Sequence, residues 1–158
     1  MPIITIEELP QYLTTKGRIA GLDLGTKTIG CAVSDFNLTL STPRYTLHRG
    51  KFSQDAEKLL DFFVKEEILA IVIGMPINMK GTYGPRAQST KSFVNNMQEF
   101  TDLPFILQDE RLSTVEAERI LIEQNLSRQK RTHRIDCAAA AFILQSSLDR
   151  LRFLKTRI

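Results

Sequence analysis

Three acids stand where predicted buried segments end. Asp23 closes the apolar run Arg18 to Leu24, Asp109 and Glu110 follow the run Pro104 to Gln108, and Asp136 falls in the first turn expected of the last helix. A short aliphatic run stopped by Gly25 reads as a strand buried on both faces, which leaves a carboxylate in need of a partner. Carboxylates gathered without cations raise one another's pKa, and a divalent ion reverses that interaction. Magnesium, or manganese in its place, takes hard oxygen ligands, keeps several waters and shares positions with substrate phosphate, so a few carboxylates suffice. Two such ions roughly 4 Å apart activate a water and stabilise the leaving oxygen of an in-line phosphoryl displacement. Asp23, Glu110 and Asp136 are therefore candidate catalytic and metal-binding residues.

Each acid also has a plainer reading. Asp23 before Leu24-Gly25-Thr26 suits an Asx-type turn, Glu110 can pair with Arg111, and Asp136 can complement a helix N-terminus. Strand periodicity sends Asp109 and Glu110 to opposite faces, so spacing alone leaves the choice between them open.

Cations that suit phosphate lie close to the same segments. Lys27 follows Asp23 by four residues, and the glycine- and proline-bearing loop from Gly74 to Pro85 offers Asn78 and Lys80, with Arg86 just beyond it. Arginine at such a place grips phosphate bidentately. Arg111 follows Glu110, and Arg128, Lys130, Arg131 and Arg134 form a basic cluster before Asp136. The net charge of +3 conceals an asymmetry, because residues 126–158 carry eight Lys or Arg against two acids. A basic face of this kind fits nucleic acid, and a solvated helix flank is the plain alternative.

The elements that must position these residues follow from periodicity. Arg18 to Leu24, Ile29 to Ser34 and Thr39 to Leu47 read as three strands joined by short turns. Ser53 is expected to cap a helix with Ala56, Leu59, Leu60, Phe63 and Val64 inside, followed by a buried strand from Leu69 to Ile73. A helix with Ala87, Phe93, Val94 and Met97 inside leads to a fifth strand, Pro104 to Gln108. Ser113 and Glu116 open another helix to about Asn125, the basic connector Leu126 to Arg134 follows, and the last helix runs from Ile135 to about Leu154. The expected fold is α/β: a mixed five-stranded sheet in the order 3-2-1-4-5, with helices on both faces. Parallel strands one, four and five then share an edge at their C-terminal ends, where open α/β sheets bind ligands.

The chain of 158 residues is the length of one domain, expected to span 17–158 with residues 1–16 as an N-terminal extension. No apolar run approaches the roughly 20 residues of a membrane span, so a cytoplasmic protein with no membrane partner is expected. Cys31 and Cys137 lack any metal or redox spacing and read as packing residues.

The runs DLGTKTIGCAVSD, GMPINMKGTYGPRA, DERLSTVEAERIL and RIDCAAAAFIL, in this order from Gly17 onward, closely resemble the YqgF/RuvX family of bacterial proteins. That resemblance implies a ribonuclease H-like fold. It also implies metal binding by Asp23, Glu110 and Asp136. For a nuclease, Lys27, Asn78 and Arg86 are then expected on the backbone near the scissile phosphate. Family members were first described as candidate Holliday junction resolvases and are now mostly assigned to 5′-end maturation of precursor 16S ribosomal RNA. The implied function is a metal-dependent endonuclease on RNA, with a DNA junction or a non-catalytic nucleic-acid-binding module as alternatives, and a monomer or homodimer as the active unit. Thr28 and Cys31 depart from the commoner family pattern without touching an acid. Asp-Leu-Gly-Thr also resembles the phosphate hairpin of actin-like kinases, but those close two lobes around ATP, and this chain has length for one.

Overall fold

A computed structural model describes the backbone of residues 3–75, 84–109 and 128–156, and the side chains of 3–75, 84–108 and 138–154. The strands are β1 (Ile3–Ile4), β2 (Arg18–Leu24), β3 (Thr28–Ser34), β4 (Ser41–His48), β5 (Ile68–Met75) and β6 (Phe105–Asp109). The helices are a 3-10 helix (Ile6–Tyr12), α1 (Phe52–Lys65), α2 (Pro85–Met97) and α3 (Arg128–Thr156).

The sheet order is β1-β6-β5-β2-β3-β4. Strands β2, β5 and β6 are parallel, and β2, β3 and β4 are successively antiparallel. The expected sequence of five strands is present, and the sheet has six rather than five because Ile3 and Ile4 pair in parallel with Phe105 and Ile106 at the far edge. Two residues are too few to display strand alternation. They are followed by a 3-10 turn in which the backbone N–H and hydroxyl of Thr5 donate to Glu8 Oε1 at 3.2 and 3.0 Å, and Leu9 is fully buried against the sheet.

Alternation along the strands divides the core in two. Ala20, Leu22 and Leu24 of β2, Ile71 and Ile73 of β5, and Phe105 of β6 meet α1 and α2. Ile19, Ala70, Val72 and Ile106 face the other way, toward α3 and the 3-10 helix. On that second face Gly21 and Ala70 carry little or no side chain. A Cβ at Gly21 would stand 2.7 Å from Leu144 Cβ and 2.9 Å from the Ala140 carbonyl oxygen, so α3 rests on the bare backbone of β2.

The helices depart from expectation in three ways. α1 begins at Phe52 with Lys51 at its cap position, so Ser53 is inside the helix and not its cap. The carboxylate of buried Asp55 takes the neighbouring duty, accepting the Gly50 N–H at 3.1 Å on each oxygen. Within α1 the stripe is turned toward β4: Phe62 is buried and stacks on Tyr45 with ring centroids 5.7 Å apart, and Val64 is 80% exposed. Finally, α3 includes Arg128 to Arg134, which are helical and not a connector, in keeping with the high helix propensity of Gln, Lys and Arg. The helix expected to open at Ser113 lies outside the described residues. Cys31 is buried in the core, as a packing residue should be. Among the described residues no helix is long and apolar enough to cross a membrane.

Candidate functional site

Asp23 sits at the penultimate position of β2, half-buried and opposite Gly30 of β3. It shares the parity of Ile19 and Gly21, which puts it on the face that α3 crosses. Leu22 pairs with Ile73, Ile73 with Leu107, and Gly74 with Gln108, so the ends of β2, β5 and β6 lie level along one edge. Gln108 belongs to the α3 face too, since its Oε1 accepts the Ser147 hydroxyl at 3.1 Å. Asp109, opposite Met75, has the parity of Phe105 and Leu107.

The course of α3 follows from its anchors. The Ser41 hydroxyl donates to the Ala141 carbonyl at 2.6 Å, and Gln145 donates to the Thr39 carbonyl at 2.9 Å while accepting the Ser41 N–H at 3.0 Å. Ser41 pairs with Ser34 beside the start of β2, and Ser147 reaches Gln108 of β6, so α3 lies across the sheet from β4 to β6. Asp136 precedes Ala140 by one turn and Leu144 by two along α3. It stands eight residues after Arg128, about 12 Å along the axis, and not in the first turn. A helix N-terminus therefore does not account for Asp136.

Of the other predicted residues, Lys27 is exposed in the turn between β2 and β3, and its carbonyl accepts the Arg49 N–H at 2.8 Å. Arg86, in the first turn of α2, donates from Nη2 to the Leu24 carbonyl at 2.9 Å and so is tied to the strand end beside Asp23. Asn78, Glu110 and Arg111 lie outside the described residues. The side chains of Arg128, Lys130, Arg131, Arg134 and Asp136 do too, and only their backbone is placed, in α3. Among the described residues no three acid, histidine or cysteine side chains gather as a metal group, and Asp23 is the only member of the predicted triad whose side chain is described.

Sequence reasoning missed Arg49, which follows β4 and donates from Nη1 to the Gly25 carbonyl at 2.6 Å. The signal was available. Two successive antiparallel pairings make β4 run with β2, so the cation after β4 arrives at the edge where Asp23 stands.

Residues 17–150 match the model of the RuvX family, described as Holliday junction resolvase. The chain belongs to this family. Among RuvX relatives, the "Putative pre-16S rRNA nuclease" of Rhizobium meliloti (strain 1021) is 58% identical, with 98% of this chain and 93% of the relative covered. The protein of the same name from Agrobacterium fabrum (strain C58 / ATCC 33970) is 60% identical, over 98% and 97%. These similarities span 154 residues and so take in most of the N-terminal segment that precedes the RuvX match. T. thermophilus RuvC, solved with a Holliday junction substrate, has the same fold at a TM-score of 0.54 and 12% identity, over 85% of this chain and 96% of that one. A Fowlpox virus resolvase solved with Holliday junction DNA also gives 0.54 and 12%, over 85% and 98%. The RuvX chain is thus a ribonuclease H-like α/β protein.

Proposed function

We propose that this RuvX protein is a metal-dependent endonuclease that hydrolyses phosphodiester bonds of RNA, acting in 5′-end maturation of precursor 16S ribosomal RNA. The observation that carries the reading is the seating of α3 on Gly21. It supports convergence of Asp23, two residues further along β2, with Asp136, one turn before Ala140. Glu110 supplies the third carboxylate. Asp109, its neighbour in sequence, pairs with Met75 and has the parity of Phe105 and Leu107.

Carboxylate oxygens at an electropositive edge suit hard divalent ions such as magnesium or manganese. When bound, such ions supply an activated water and neutralise charge on the leaving oxygen. The remaining work falls to the chain's own residues. The rigid end of β2 fixes the Asp23 carboxylate, and Arg86 holds that end by its bond to Leu24. Lys27 and Asn78 meet phosphates next to the scissile one, and Arg111, Arg128, Lys130, Arg131 and Arg134 extend the basic track that aligns the strand. Cleavage leaves a 5′-phosphate and a 3′-hydroxyl.

The test is incubation of the purified protein and its Asp23→Asn variant with 5′-extended precursor 16S RNA and with a four-way DNA junction, each with magnesium. The reading expects RNA cleavage at the 5′ extension, stopped by EDTA and absent in the variant. Cleavage confined to the junction would replace RNA with DNA as the substrate, and no metal-dependent cleavage of either would leave a binding module.

A further inference from the structure

We propose that a second backbone phosphate of the substrate is held by Arg49 and Arg86 in the cleft between the β2–β3 hairpin and the first turns of α2. This rests on the reading that the substrate is a nucleic acid strand crossing the edge that carries Asp23. The cleft has a volume of about 460 Å³ and is lined by Leu24, Gly25, Arg49, Gly50, Arg86 and Ser89, among others. It opens at the same sheet edge as Asp23, on the face opposite α3.

The two arginines enter from different elements and are anchored alike. Arg86 donates through one terminal nitrogen to the Leu24 carbonyl, and Arg49 donates through one to the Gly25 carbonyl, the next along β2. A guanidinium has five N–H donors in a rigid fork, so each retains donors after its backbone bond and is already oriented to use them. Neither arginine forms an ion pair among the described residues. Among the described residues no acid lines the cleft, and nearby Asp55 is turned to the Gly50 N–H. Two cations facing one cavity repel until an anion lies between them, and bidentate phosphate geometry matches the fork.

The walls say which anion. Among the described residues no aromatic side chain lines the cleft on which a base could stack. At Gly50 a Cβ would find only Asp55 Oδ1, 4.0 Å away, so the mouth is open at the backbone. These features fit the sugar–phosphate chain of a strand and disfavour a free nucleotide, whose base would have no seat. Asp55 is a positioning residue in this scheme: it fixes Gly50 and, through it, the direction from which Arg49 reaches Gly25.

The test uses the full chain, fluorescein-labelled single-stranded RNA from the precursor 5′ region, and anisotropy in EDTA so that nothing is cleaved. Arg49→Gln should weaken binding roughly tenfold and lower the slope of log affinity against log salt by about 0.7, the loss of one phosphate contact on a single strand. Ser89→Glu leaves both arginine anchors intact and adds a negative charge inside the cleft. It should weaken binding in the same direction with melting unchanged, which keeps the test decisive if Arg49→Gln unfolds. Wild-type affinity and slope in Ser89→Glu and in folded Arg49→Gln would overturn the proposal, even with cleavage still lost in Asp23→Asn. Saturable magnesium–ATP binding that Arg49→Gln abolishes, with RNA binding unchanged, would overturn it as well. If Asp23→Asn cleaves normally while the cleft variants lose RNA, the cleft stands and the nuclease assignment of Asp23 falls.

Discussion

Gly21 of β2 and Leu144 of α3 approach so closely that no side chain fits between them: a Cβ at position 21 would stand 2.7 Å from Leu144 Cβ. The contact fixes the distance of α3 from the sheet two residues before Asp23. It involves main chain on both sides, since the same Cβ would also meet the Ala140 carbonyl oxygen. Such a contact cannot be relieved by swinging a flexible side chain aside.

Gly21→Ala should therefore lower stability by about 1–3 kcal/mol, the usual range for overpacking, read as a lower urea midpoint. Because relief requires α3 to lift from β2, cleavage should fall further than the loss of folded protein explains. Wild-type specific activity per folded molecule would show that the spacing of α3 does not matter to the site.

Glu67 has φ of 56° just after α1, a left-handed conformation that costs an L-residue about 1 kcal/mol and glycine nothing. Its side chain is exposed, so little is lost with it. Glu67→Gly should raise stability by up to about 1 kcal/mol in equilibrium denaturation with activity unchanged.

Much of this was legible in the residues. The short aliphatic run ending at Asp23 reads as a doubly buried strand because every second residue of β2 meets a different helix layer, and the order of the five longer strands follows from turn lengths and right-handed crossovers. Three features were not legible. Ile3–Ile4 becomes a strand only because β6 offers an open edge. The inward turn of Phe62 depends on Tyr45, which is remote in sequence. The start of α3 was hidden because a run of Lys, Arg and Gln reads equally as a basic connector or as exposed helix. The cleft at Arg49 needed the direction of β4 to be carried through to the sheet edge.

Asp35 has its carboxyl held below the ordinary carboxylate value, first by the hydroxyl of Thr39, then by the Thr39 N–H at 2.7 Å, against a smaller opposing effect of burial. A depressed folded-state pKa contributes stability that is present above the unfolded value near 3.8 and is lost as pH falls through the lower folded value. Asp35→Asn should thus be less stable than wild type at neutral pH. The gap should close in acid below about pH 4, in urea titrations at several pH values. A gap independent of pH would mean that shape, and not charge, holds the turn.

Glu66 is mostly buried and receives Arg18 at 3.1 Å and Arg44 at 3.4 Å, while the Arg18 guanidinium lies 4.4 Å from the centre of the Phe36 ring. Glu66→Ala leaves two cations facing each other and should cost about 1–3 kcal/mol. Because this network lies at the opposite end of β2 from Asp23, the activity of the folded fraction should be unchanged.

The central claim is that Asp23, Glu110 and Asp136 form one divalent-ion site, and calorimetric titration with manganese tests it most directly. The wild-type chain should bind manganese saturably, and folded Asp23→Asn should bind it more than about tenfold more weakly. Equal manganese affinity in the two proteins would contradict the claim.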